Sequence, residues 1–410
     1  MISSHSKYII ILFFALYFAA AFVYAQSLES RHEVLFKQIN IEDGLSQSTS
    51  YCIIQDKKGF LWFGTANGLN RYDGYSFTVF TNDPSDSTTI SDNGILSLFE
   101  DKNGNIWIGT VEGVLNKYDR KKGTFTHYYI TDKLKTEADP DEKYYDFPLP
   151  FSRNNDKSIT SIVQDEKGFI WIGTWGKGLV KFDAEKNKYE HFHYNENEPN
   201  GFHSNRIKAI IADADNIVWA ATLGGGLYKI KSTEQQNQLI HYQENKNPWS
   251  LNDNNLVSLS KDKNGNLWIG TYGGGLNKLS KHNQQLSPDE AQFEKYLNQL
   301  NDPSSLSNNI VMSIIQDKDN SLWIGTFGGG LNHFDPVKKE FFAFKNDPLN
   351  PNSINKNDIL SVFQDRSGSI WIGTHLGKGL SKLERNTIKF RQVNRDVNGV
   401  NGLNDDVVWA

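Results

Sequence analysis

The chain has 410 residues, 38% of them hydrophobic and 13% aromatic, with 33 glycines and a formal net charge of −5. That is ample apolar material for a large core under a polar surface, and a weak acidic balance without a basic stripe excludes a nucleic-acid partner. The single cysteine, Cys52, excludes intrachain disulfides; in its apolar strand it reads as an ordinary buried thiol.

At the N-terminus, Lys7 and the free amine precede an apolar run from Tyr8 to Val23, and Val23-Tyr24-Ala25 puts small residues where a leader would be cut before Gln26. This layout predicts a signal peptide over 1–25 and export of the rest of the chain. The alternative is an uncleaved anchor helix, since the run is only slightly short of a full span. No cysteine follows the run, which argues against a lipoprotein.

Beyond residue 34 one phrase is written seven times, as in Glu100-Asp-Lys-Asn-Gly-Asn-Ile-Trp-Ile-Gly-Thr110 and Lys261-Asp-Lys-Asn-Gly-Asn-Leu-Trp-Ile-Gly-Thr271. Its tryptophans are Trp62, Trp107, Trp171, Trp219, Trp268, Trp323 and Trp371, spaced 45 to 64 residues apart. Units of about 40–50 residues made of several short strands are the spacing of propeller blades. In the second copy, Ile95–Phe99 is an apolar strand, Asp101–Gly104 turns it, and Ile106–Ile108 returns with no polar face. A strand apolar on both sides must be covered on both sides, and neighbouring blades supply that cover. Val114–Tyr118 and Thr124–Tyr128 complete four antiparallel strands.

Three residues after each repeated aspartate stands Gly59, Gly104, Gly168, Asn216, Gly265, Asn320 or Gly368, the residue types that accept a left-handed backbone in a hairpin. The aspartates invite a calcium reading, but a helix–loop–helix calcium loop needs glycine at its sixth position, where Ile106 or Leu267 stands. The carboxylate is better used on backbone N–H groups of its own turn. Each indole, able to bury about 150–250 Å², sits mid-strand between aliphatic residues and reads as core.

Between the second and third copies, Thr131–Ser158 inserts a long segment containing Tyr144-Tyr145-Asp-Phe-Pro-Leu-Pro-Phe151, which suits a lid or partner surface. His191-Phe-His193 puts two imidazoles on one side of an outer strand, a weak metal motif without a third ligand. Trp249 lies in the Asn247–Ser250 loop, on the face that also carries the loops after each Gly-Thr. Phe36-Lys-Gln-Ile-Asn40 and Phe390-Arg-Gln-Val-Asn394 spell one outer-strand phrase twice. The expected architecture is therefore all-β: a seven-bladed β-propeller with four-stranded antiparallel blades over 34–393, preceded by a signal peptide. Strand 34–40 closes the ring, and 394–410 begins a second propeller. No general acid–base pair, nucleophile–base pair or cofactor motif is brought together, so no enzyme activity or cofactor is expected within these residues.

The phrase Gln-Asp-x-x-Gly-x-Ile/Leu-Trp-Ile-Gly-Thr-x-x-Gly-Gly-Leu, with the opening Ile41-Glu-Asp-Gly-Leu45, resembles the two-component regulator propeller repeat. The resemblance covers roughly residues 34–410. It implies a periplasmic sensor that binds a glycan fragment or other nutrient, followed in the full-length protein by a second propeller and a histidine kinase anchored in the inner membrane. Candidate ligand contacts are Trp175, Tyr272, Phe327 and His375 after the Gly-Thr pairs, with Trp249, Tyr144 and Tyr145 on nearby loops. The alternative is that these rings plug the channel mouth, since large apolar residues are more often buried than displayed. A secreted propeller enzyme acting on polysaccharide and a protein-binding scaffold are the competing functions, and formation of a homodimer is left open.

Overall fold

Every copy of the repeat forms one four-stranded antiparallel sheet, and seven such sheets are found among the described residues. The structure, a computed structural model, describes residues 34–134, 156–198, 201–232 and 237–384, and no α-helix occurs among them. Blade 2 shows the plan, with strands a to d at Ile95–Glu100, Ile106–Thr110, Leu115–Asp119 and Thr124–Tyr128. The a strands of adjacent blades pack against one another around the axis, and the a strand of blade 1 (Ser50–Gln55) touches that of blade 7 (Ile359–Gln364). In blade 7 the fourth strand is Phe36–Ile39, paired from Phe36↔Leu383 to Ile39↔Leu380. Hydrogen bonds between the two ends of the described chain thus close the ring. The signal peptide proposed for 1–25 and the second-propeller start at 394–410 lie outside the described residues.

The hairpin between strands a and b is left-handed at the expected position in all seven blades, from Gly59 at φ 99° to Asn216 at φ 56° and Gly368 at φ 92°. In blade 2 the Asn-Gly pair does not form a two-residue turn of positive φ angles. Gly104 alone is left-handed, and its N–H reaches the Asp101 carbonyl at 3.0 Å. Blade 4 differs, because Asp215 and Asn216 are both left-handed and close the tighter turn.

Each repeated aspartate joins its turn to the core. One oxygen of Asp101 accepts the N–H groups of Asn103 and Asn105, and the other accepts the indole N–H of Trp107 at 2.9 Å. The indole bond recurs from Trp62 to Asp56, Trp171 to Asp165, Trp219 to Asp213, Trp268 to Asp262, Trp323 to Asp317 and Trp371 to Asp365. Opposite the carboxylate, strand c lays a cation over the same ring: Arg71, Lys117, Lys181, Lys229, Lys278 and Lys382 in six blades. In blade 6 His333 takes that place, 4.5 Å from Trp323.

Blades are also latched to each other below the turns. Lys57 Nζ donates to the carbonyls of Asp101 and Lys102, and Lys102 Nζ to those of Asp165 and Glu166. Lys263, Lys318 and Arg366 repeat the reach, Arg366 meeting the carbonyls of Asp56 and Lys57 across the closure. The two junctions of blade 4 replace this latch with an Asn216 N–H on Glu166 and a Lys261–Asp213 ion pair.

Replacing Asp101 by Ala strips Trp107 of its acceptor and is expected to cost about 2–3 kcal/mol in urea unfolding. Paired with Trp107→Phe, the two losses should fall short of additive in a double-mutant cycle. Burial acts against ionisation of Asp56, but its bonds from Trp62 and Arg120 prevail and hold the carboxyl below its ordinary range. The stability it contributes is therefore present above the unfolded value of about 3.9 and lost as pH falls through the lower folded value. Arg120→Met should flatten that acid loss, measured by unfolding at pH 6 and below about pH 4.

Candidate functional site

The channel mouth is shaped by an irregularity that recurs in every a strand. Pairing with strand b slips between the first and third residues in all seven blades, for example between Leu256 and Ser258. The bulged second residues are Tyr51, Leu96, Thr160, Lys208, Val257, Met312 and Leu360. A bulge re-aims a side chain, and here it forms a ring at the top of the channel. Tyr51, Val257, Met312 and Leu360 pack there with Leu223, Trp175, Tyr272, Ile310 and Phe327.

The residues after each Gly-Thr form the tier above. The N–H groups of Trp175, Tyr272, Phe327 and His375 bond to the carbonyls of Ser158, Asn255, Ile310 and Asp358, each just before an a strand. Their side chains are thereby fixed over the bulge ring. Trp175, Tyr272 and Phe327 are half-buried in the cluster, and His375 joins it through Phe327, with ring centroids 5.9 Å apart. Burial lowers the His375 pKa; Asp358 opposes that shift, while Lys356 adds to it. Trp175, Tyr272 and Phe327 thus pack partly against the cluster and keep part of their surface open.

Trp249 is not part of this group. It is 55% exposed, and its carbonyl accepts the Phe293 N–H at the outer strand of the next blade. Tyr144 and Tyr145 lie outside the described residues. His191 and His193 do face one side, with rings 4.5 Å apart, but His191 Nε2 lies 2.6 Å from the Lys177 carbonyl and His193 Nδ1 2.7 Å from that of Tyr194. Among the described residues, the one group of three side chains placed to share a cation is Asp317, Asp319 and His333. Asp317 already accepts from Trp323 and Gln364, Asp319 from Ser321, and His333 Nε2 meets Ser321 Oγ.

Lys208 went unnoticed in the sequence reading. It stands at the bulge of blade 4, half-buried, and burial pushes its pKa down to about 8. Its charge also couples to Cys52, a residue of blade 1, whose thiol burial pushes up to about 12. Blades 1 and 4 are not neighbours, so this coupling runs across the channel. Arg206, two residues earlier, sits at the rim, where its carbonyl accepts the Leu223 N–H. A sequence signal existed: Lys208 interrupts Ile207–Ile211, an otherwise apolar run.

The loops above the ring are pinned by strand c amides. Asn116 accepts the Ser91 N–H and donates to Ser91 Oγ, and Asn70 and Asn332 do the same with Ser46 and Ser307. In blade 5 neither amide atom of buried Asn277 has a protein partner, and Asn252 Oδ1 beside Gly274 has none either. Asn116→Leu should therefore cost about 1–3 kcal/mol, whereas Asn277→Leu should be near neutral or stabilising in thermal unfolding.

Six segments, 44–67, 89–112, 154–176, 250–273, 305–328 and 353–375, match the family described as two component regulator propeller. The fourth copy, where Trp219-Ala-Ala-Thr222 replaces Trp-Ile-Gly-Thr, is not among them. Over 57 residues the chain is 53% identical to histidine kinase P4 of Formosa agariphila, covering 14% of this chain and 4% of the kinase. The extracellular domain assigned to the hybrid two component system BT3049 of B. thetaiotaomicron is 26% identical with a TM-score of 0.63. That likeness covers 85% of this chain and 42% of the other, so the chain spans less than half of its relative. PorZ, a surface component of the type-IX secretion system of Porphyromonas gingivalis, shares the fold at 18% identity and a TM-score of 0.61, over 83% of this chain and 47% of PorZ.

Proposed function

Because this chain belongs to the two-component regulator propeller repeat family, we propose that it is the exported sensor propeller of a hybrid two-component system, binding its ligand at the channel mouth. The observation that carries this reading is the tier of half-buried rings, Trp175, Tyr272 and Phe327, held over the axis by backbone bonds. Flat apolar faces fixed around a lumen suit the ring faces of a saccharide, with polar loop groups left to orient its hydroxyls. The resemblance to an extracellular domain supports a position outside the cytoplasmic membrane, where such ligands arrive.

Coupling requires that the ligand favour one arrangement of the sensor over another. Phe36, on the outer strand of blade 7, pairs with Leu383 on the adjacent third strand, so the described ring begins and ends within one blade. A second propeller and a membrane-anchored histidine kinase in the full-length protein are the partners this reading implies. Trp249, exposed on its own loop, is an accessory contact at most.

Calorimetry against a panel of neutral and acidic oligosaccharides tests the site. Trp175→Ala and Tyr272→Ala should each weaken binding by about 1–2 kcal/mol, while Trp249→Ala leaves it unchanged. Affinity unaltered by both mouth substitutions would remove the site. In the full-length protein, the same ligand should change the rate of kinase autophosphorylation, and both mouth variants should blunt that change.

A further inference from the structure

We propose that Leu376 selects the ligand of the mouth, favouring a sugar that carries an acetyl or other methyl-ended substituent; the proposal rests on the mouth being the binding site.

Two positions after the repeated threonine, blades 4, 5 and 6 have glycine, at Gly224, Gly273 and Gly328, whereas blade 7 has Leu376. Leu376 adopts φ 49°, in the left-handed region, where Gly224 stands at 87° and Gly328 at 85°. A branched side chain is strained in that conformation, while glycine adopts it freely. Among the described residues, the other side chains found there are three asparagines, one aspartate and Lys339, so Leu376 is the one apolar case.

The fold needs this conformation but not the leucine. The N–H groups of Gly224 and Gly328 donate to the carbonyls of Asn254 and Asn357, each in the next blade, both at 3.1 Å. The Leu376 N–H makes the corresponding reach to Thr49 Oγ1 of blade 1, also at 3.1 Å. The same link between blades is thus made twice with glycine. Packing does not account for the side chain either, since Leu376 is 67% exposed. A Cβ at Gly224 would meet nothing within 4 Å, and one at Gly328 only the amide of Asn308, at 3.4 Å. A strained residue whose side chain stands in solvent is a mark of function rather than of stability.

The surroundings say what it would recognise. His375, the preceding residue, is held by the Asp358 carbonyl with its ring 5.9 Å from that of Phe327. Thr49, which accepts the Leu376 N–H, stands two residues before Tyr51 of the bulge ring. Leu376 therefore belongs to the rim where blades 7 and 1 meet, beside two flat rings. A sugar lying on Phe327 and His375 would have its edge next to the leucine. A bare hydroxyl pressed against leucine loses water and gains no partner. A methyl group there buries apolar surface on both sides. An acetamido sugar meets both demands, with its methyl for Leu376 and its amide left for polar loop groups.

The test is calorimetry on the whole chain with tri-N-acetylchitotriose and cellotriose, which share one backbone and differ in acetamido against hydroxyl. The acetylated sugar should bind the wild type about fivefold or more tightly than cellotriose. Leu376→Asn removes the apolar branch and supplies a residue type that accepts the left-handed backbone. It should erase the preference while the melting temperature holds or rises. Leu376→Met should keep most of the preference. Equal binding of the two sugars by the wild type, no binding of the acetylated one, or a preference undiminished in Leu376→Asn overturns the proposal. So does a melting temperature lowered by Leu376→Asn, the result expected of a leucine that serves the fold. Both sugars bound alike through Trp175 and Tyr272, with no effect of Leu376, would leave the sensor reading standing without the selector. A preference set by Leu376, with no effect of the bound sugar on kinase autophosphorylation, would do the reverse.

Discussion

The bond from each indole N–H to the aspartate six residues before it is the constraint on which the rest of this protein depends. It ties the turn to the middle of strand b, so the hairpin and the core cannot form separately. The ring it anchors is packed between two blades, and a strand c cation lies over its face in six cases. Turn geometry, strand register and blade-to-blade packing are therefore settled by one four-part unit of carboxylate, indole, cation and neighbouring apolar wall. Close approach of the blades then demands glycine after the isoleucine. A Cβ at Gly109 would stand 2.3 Å from Ser97 Oγ and 2.4 Å from Ile159 of the next blade.

Much of this was legible in the residues. Seven repetitions of one phrase give the number of blades, and the Gly or Asn of the turn fixes where each hairpin reverses. The aspartate was assigned to its own turn, and it does bind N–H groups there. Its second bond, to the tryptophan, was not foreseen, because it depends on how two strands align after folding. The bulge escaped for a similar reason. Adjacent apolar pairs such as Leu256-Val257, Val311-Met312 and Ile359-Leu360 read as ordinary strand, and only the slipped register shows that one of each pair turns to the axis.

The candidate site follows from the same logic of repetition and exception. The rings after Gly-Thr were singled out by their variation among copies, and the fold brings Trp175, Tyr272, Phe327 and His375 to one rim. Trp249 was grouped with them by face, but faces of a propeller are wide, and its loop runs to the outer strand of the next blade instead. Lys208 lies in the copy where the repeat is least regular: the phrase is altered, the turn is tighter and the indole bond is longest, at 3.4 Å.

The central claim is that these seven units form one cooperative closed ring rather than a row of independent blades. Hydrogen exchange of the indole N–H groups, followed by NMR on the native protein, measures this directly. A cooperative ring predicts slow exchange at Trp62, Trp107, Trp171, Trp219, Trp268, Trp323 and Trp371, all governed by global unfolding, while exposed Trp249 exchanges quickly. Fast exchange confined to one or two of the seven, at the junction of blades 7 and 1 above all, would contradict it.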